Sequence, residues 1–174
     1  MNRAQLEHII RAAAVIADDD ELVIVGSQAI LGEHPDAPPE VLVSLEADVY
    51  PKHHPERADI IDGAIGELSQ FHETFGYYAQ GVGERTATLP ADWEERLVPV
   101  RGPGTRGATG WCLETHDLAV SKLVAGRPKD LDFVRALIGH GLLDVKTLEA
   151  QACSDRACTC RPVGRRRNPP RPRR

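Results

Sequence analysis

Six residues, Glu21-Leu22-Val23-Ile24-Val25-Gly26, restrict this chain more than any others. A β-branched run this short, ended by Gly-Ser, is a buried strand that must stop and turn. The next residues, Ser27 to Gly32, read as a helix with Ser27 at its N-cap and Gly32 at its close. At such a turn the serine hydroxyl and the first free backbone N–H groups can hold phosphate oxygens, and the helix dipole favours the negative charge.

A second strand follows in Ser44-Leu45-Glu46-Ala47-Asp48-Val49-Tyr50-Pro51. Residues i and i+2 of a strand share a face, so Glu46 and Asp48 stand side by side, roughly 6.5–7 Å apart at the backbone. Like charges so placed repel. A divalent cation removes the repulsion, and Mg²⁺ or Mn²⁺ takes carboxylate oxygens together with phosphate oxygens. Two such ions about 3.5–4 Å apart clamp the attacking and leaving oxygens of a phosphoryl or nucleotidyl transfer. An edge strand that uses charge to block aggregation is the alternative for the acids, and an ordinary strand end for Gly26-Ser27.

Around these two strands the pattern alternates. A helix is expected over 3–17, with Leu6, Ile9, Ile10, Ala13 and Ile16 on one side, and another over 56–68. Strands are expected at Gly76–Val82, Leu97–Val100 and Trp111–Glu114, with a helical turn at Asp92–Glu95. Thr115 caps a helix that stops at Gly126, Pro128 opens the next, and a third begins near Asp144. The fold class is α/β (α+β) with a mixed sheet. No G-x-G-x-x-G or P-loop pattern is present, and no internal repeat. Cys112 and His116 fall at a strand end and a helix start and do not form a Cys-His nucleophile, and no G-x-S-x-G elbow exists. His53 and His54 read as loop residues.

The charge is divided. Residues 151–174 hold eight arginines and one acid, whereas residues 1–150 hold 13 basic and 25 acidic residues. The acidic body is a poor binder of nucleic acid by bulk charge, so any nucleotide site on it needs local cations or metal. We expect one domain over 1–150 and a disordered Arg/Pro/Cys-rich tail over 151–174, or one arising from a shifted reading frame. The tail cysteines, C-x4-C-x-C at 153, 158 and 160, lack the partners of a zinc site. No apolar run spans a membrane and no signal peptide is evident, so the cytoplasm is expected.

Taken in order, "VGSQAILG", "SLEADVYP", "GWCLETHDLAVSKL" and "KDLDFV" resemble the polymerase-beta-type nucleotidyltransferase fold over about residues 1–148. The segment "HDLAVSKLVAGRPKDLDFVRALI" is similar to the helical part of AbiEii-type toxin nucleotidyltransferases. The resemblance implies a mixed β-sheet nucleotidyltransferase-type core with flanking helices and a C-terminal helical segment. It implies Mg²⁺ or Mn²⁺ on Glu46 and Asp48, and a catalytic Lys122. Gly26, Ser27, Lys122, Arg127 and Lys129 would bind the nucleotide, with Asp117, Asp130 and Asp132 in support. The expected partners are an NTP, a hydroxyl acceptor on RNA, protein or a small molecule, and a small protein partner of toxin–antitoxin type. Two features depart from the family pattern: the 18-residue gap between Ser27 and Glu46 is long, and the later strands lack a third carboxylate. Glu84 and Asp92 lie near but outside a strand. A nucleotide-binding or interaction protein without chemistry is therefore the second reading.

Overall fold

The computed structural model describes residues 1–154. Five strands form one mixed sheet: β1 (Glu21–Ile24), β2 (Glu46–Pro51), β3 (Tyr78–Gly81), β4 (Val98–Val100) and β5 (Thr109–Cys112), in the order β3-β2-β1-β5-β4. β1 is antiparallel to β2 and parallel to β5; β2 is parallel to β3, and β4 antiparallel to β5. Seven α-helices accompany them among the described residues: α1 (Arg3–Ala17), α2 (Ile30–Glu33), α3 (Ala58–Ile65), α4 (Gln70–Phe75), α5 (Thr115–Ala125), α6 (Pro128–Gly139) and α7 (Val145–Ser154). This is a mixed α/β architecture, the α+β class the sequence indicates.

Helix α1 forms where the pattern places it. Asn2 and Gln5 close a reciprocal capping box at its start, and Asp18 ends it in the left-handed region at φ 50°. Leu6, Ile9, Ile10 and Ala13 are fully buried, while Ile16 only packs at the margin. Each buried Leu or Ile contributes about 1.5–3 kcal/mol of apolar burial. Strand alternation then divides the sheet into two faces. Leu22, Ile24, Ala47 and Val49 lie on the face covered by α1. Val23, Tyr50, Asp48 and Glu46 lie on the other, toward the irregular segment 82–97, whose Leu89, Trp93 and Leu97 pack on the core.

Several local expectations differ from the structure. Ser27 does not cap an α-helix. Gly26 holds the cap position, Ser27–Ala29 is a single 3₁₀ turn without a side-chain cap bond, and α2 is only four residues long. An element this short carries little of a helix dipole. Gly32 does not end it either: Gly32 is inside α2, where a Cβ would stand 2.6 Å from Cys112 Cβ, so the missing side chain permits helix–strand contact. The helix expected over 56–68 ends at Ile65. Separate helix α4 follows, capped by Ser69, whose hydroxyl accepts from His72 N at 3.2 Å. Helix α5 is capped by Glu114, whose carboxylate accepts from His116 N and Asp117 N; the Thr115 hydroxyl donates instead to Glu33 at 2.5 Å. Helix α7 ends at Ser154, the last described residue. The arginine-rich tail beyond it lies outside the described residues.

Candidate active site

The end of β1 and the acid strand meet as the sequence suggests. Val25 N donates to Asp48 O at 3.0 Å, which lays Gly26 against the Asp48 side chain. A Cβ on Gly26 would fall 2.0 Å from Asp48 Oδ2 and 3.0 Å from Asp48 Cβ. Glycine is required here for room and not for conformation, because its φ of −80° suits any residue. Gly26→Ala should therefore keep the fold, at a cost of about 1–2 kcal/mol, and turn the Asp48 carboxylate away. Thermal melts should show that cost as a fall of several degrees in Tm.

A cavity of about 250 Å³ opens at this point. Gly26 and Asp48 form one wall, and Lys122 and Arg127, from the end of α5 and the turn into α6, form another. Thr86, Ala87, Thr88 and Ser121 line it too, with Val25, Val124 and Ala125. Of the residues named from sequence, Gly26, Asp48, Lys122 and Arg127 share this cavity. Glu46 sits beside it, two residues from Asp48 on the same strand face, with Tyr78 Oη donating to Glu46 Oε2 at 3.0 Å. Ser27 is half-buried and does not line it, and Lys129 is exposed on α6.

Two of the three supporting acids are elsewhere. Asp117 is fully buried and receives Arg96 Nε and Nη2 at 2.8 and 2.9 Å. Asp132 pairs with Arg135 at the surface. Asp130 is different: 2% exposed, it accepts Arg127 Nε at 2.5 Å and Arg127 Nη2 at 3.2 Å, and lies 3.6 Å from Lys122 Nζ. Burial works against its charge, but the bonds to Arg127 and the charge of Lys122 outweigh that and hold its carboxyl below the ordinary range. One carboxylate thus fixes both cations of the cavity.

The acid pair carries the strain of its charges. Burial, then a hydrogen bond and repulsion from Glu46, push the Asp48 carboxyl up to about 6, against the pull of Lys122 and Arg127. A folded-state value above the ordinary 3.8 means that the native protein prefers the proton. The penalty is absent below pH 3.8, grows as pH rises through the interval, and is complete above about 6. Thermal melts in chelator should show this decline between pH 4 and 6, and Asp48→Asn should remove it.

Two carboxylate oxygens on one strand face, beside a glycine that leaves them room, suit a hard cation that completes its shell with phosphate oxygens and water. Among the described residues no group of three or more His, Cys, Asp or Glu is placed to hold a metal. The reason is visible in the register. Tyr78 and Gln80 of β3 stand opposite Glu46 and Asp48, where a third carboxylate would complete the set, and Gln80 Nε2 donates to Asp62 at 2.8 Å. Glu84 and Asp92 do not line the cavity.

A larger depression, about 1130 Å³, lies at the opposite end of β1, between α1, His53-His54 and Thr105–Ala108. It is an open groove. Its buried acid, Asp19, already accepts from Glu21 N, His53 N, His54 N and the His53 ring. The smaller cavity lies past the carboxyl end of β1, which runs parallel to β5, and open α/β sheets hold their ligands at such strand ends. Cys112 is buried, its thiol pushed up to about 12 by desolvation, and supplies no nucleophile.

Sequence reasoning missed Thr86, Thr88 and Ser121, which have no motif. It also missed Arg96, whose bond to Asp117 ties the 82–97 segment to α5 across 21 residues. No helix among the described residues is long and apolar enough to cross a membrane. No curated protein and no solved structure matches the chain. The sequence model of a family described as "Nucleotidyltransferase of unknown function (DUF6036)" matches residues 4–167, past the 1–148 span of the motifs and into the arginine-rich segment. With nearly the whole chain inside that match, the protein belongs to this family of nucleotidyltransferases.

Proposed function

We propose that the chain is a Mg²⁺- or Mn²⁺-dependent enzyme that moves a nucleotidyl group from an NTP to a hydroxyl acceptor. The observation that carries this is the cavity itself, with Asp48 against Gly26 on one side and Lys122 and Arg127, both fixed by Asp130, on the other. Its volume of about 250 Å³ suits a triphosphate better than a whole nucleotide, so the nucleoside lies toward the mouth.

In the reaction the acceptor oxygen bonds to the α-phosphorus, the bond from that phosphorus to the bridging oxygen breaks, and pyrophosphate departs. Lys122 and Arg127 offset the charge on the phosphate oxygens, as cations must in such a transfer. Glu46 and Asp48 would hold the divalent cation, which supplies further neutralisation of that charge when bound. The Tyr78 hydroxyl orients Glu46. Because β3 presents Tyr78 and Gln80 and no carboxylate, the acceptor proton passes to water. The same two residues favour a second reading, a protein that binds nucleotide without transferring it.

Labelled NTPs separate these readings. The full chain is incubated with Mg²⁺, an NTP, and RNA or protein fractions as acceptors. Label from the α-phosphate should enter an acceptor while label from the γ-phosphate leaves as pyrophosphate. Binding without incorporation leaves only the second reading, and γ-label on an acceptor would mean phosphoryl transfer.

A further inference from the structure

The cavity contains a hydroxyl that the protein itself does not use. Helix α5 turns Ser121, Lys122, Val124 and Ala125 toward it, the spacing of one helix face. Exposure rises along the helix: Leu118 and Ala119 are fully buried, Ser121 is 9% exposed and Val124 58%. Ser121 therefore marks the floor and Val124 the mouth. A hydroxyl inside a helix can return its proton to the carbonyl four residues back, as Thr74 does to Gln70 O at 2.7 Å. The Ser121 hydroxyl makes no such bond and has no hydrogen-bond partner among the described residues. Nor is its oxygen sealed off from the cavity. Thr86 and Thr88, the other hydroxyls of the lining, are exposed and meet bulk water. A hydroxyl on a side chain this buried costs free energy unless something in the cavity takes it up.

Its neighbours define the ligand. Lys122 and Arg127, held by Asp130, bring positive charge to the same wall. An anionic oxygen at the floor meets the Lys122 ammonium and takes the Ser121 proton in a charge-assisted bond, the kind phosphate oxygens accept. At the mouth, Val124 and Ala125 offer apolar surface and no charge, which suits a nucleoside. With the nucleoside outward, the phosphate farthest from it reaches the floor. Resting on the nucleotidyl-transfer reading, we infer that Ser121 holds the terminal phosphate of the NTP and so selects triphosphates over diphosphates. Its hydroxyl donates to a γ-phosphate oxygen while Lys122 offsets the charge. A diphosphate seated at the same mouth ends one phosphate short and leaves the hydroxyl unpaired. Sites built to bond a polar group reject the analogue that lacks it for this reason.

Calorimetric titration of the full chain with Mg²⁺ tests this. The ligands are the α,β-methylene analogues of ATP, GTP, CTP and UTP, and then the diphosphate of whichever binds the parent most tightly. The parent should prefer the triphosphate. Ser121→Ala should weaken the triphosphate about tenfold and leave the diphosphate unchanged, so that the preference narrows by the same factor. The Tm of the ligand-free protein should not fall, because the hydroxyl removed bonds to no other group among the described residues. A serine with a structural role would behave otherwise: its loss would lower Tm and both affinities together, and that result overturns the inference. So does a triphosphate affinity unchanged in the variant, the hydroxyl then serving water alone. An equal loss for triphosphate and diphosphate at constant Tm also overturns it, because Ser121 would then meet a phosphate the two share. In each of these cases the parent still binds nucleotide and the transferase reading stands. A parent that binds none of the analogues sinks that reading and the inference with it.

Discussion

Asp48→Asn is expected to lower nucleotidyl transfer by about 10²–10³-fold while making the metal-free protein more stable. The two effects have one cause. Asp48 is mostly buried beside Glu46, and its carboxyl is pushed up to about 6, so at pH 7 the fold holds a charge it would shed. Replacing the carboxylate by an amide of the same shape removes repulsion on the order of 1–2 kcal/mol. In a domain of this size that is a rise of several degrees in Tm. The same amide cannot neutralise a divalent cation, so the Mg²⁺-dependent rise in Tm with NTP should disappear. A variant that melts lower than the parent in chelator would show that the carboxylate is a structural hydrogen-bond acceptor, and the metal reading of the pair would fall.

Arg96→Leu should have the largest effect on stability. Asp117 has no exposed surface, and burial raises its carboxyl even against the two bonds from Arg96. Removing the guanidinium leaves a buried charge without its partner, a loss of about 3–5 kcal/mol. Arg96 also donates to Ala91 O at 2.9 Å, so the same change frees the segment that brings Thr86 and Thr88 to the cavity. Asp117→Asn in the Arg96→Leu background should restore much of the loss, because the amide needs no counter-charge. Lowering the pH should narrow the gap between Arg96→Leu and the parent, since an Asp117 without its cation takes a proton more readily. A loss below about 1 kcal/mol would class the pair with ordinary surface ion pairs.

Much of this architecture is legible in the sequence because it is written in local periodicity. The run before Gly26 and the alternation of Ala47 and Val49 with Glu46 and Asp48 define two strands, and their order with Lys122 and Arg127 points to a shared cavity. What the sequence conceals is decided by contacts between distant residues. Ser27 looks like a cap, yet its turn is 3₁₀, and Gly26 acts by giving room to Asp48 from a strand over 20 residues away. Asp117 and Asp130 are equally plausible as site acids in a line of text. Only the packing gives one to Arg96 and the other to Lys122 and Arg127. Helix α4 escapes notice because it is six residues long and buries no residue fully, its aromatic rings instead clustering with His8 and Tyr77.

A crystal structure of the full chain with Mg²⁺ and a non-hydrolysable NTP bears most directly on the claim that this cavity is the nucleotide site. The triphosphate should lie between Asp48 and Lys122, with a cation joining Glu46 and Asp48 to its oxygens and Arg127 at its rim. A nucleotide seated instead in the groove of Arg11, His53 and Arg106 at the other end of β1, with the Asp48 cavity empty, would contradict the account.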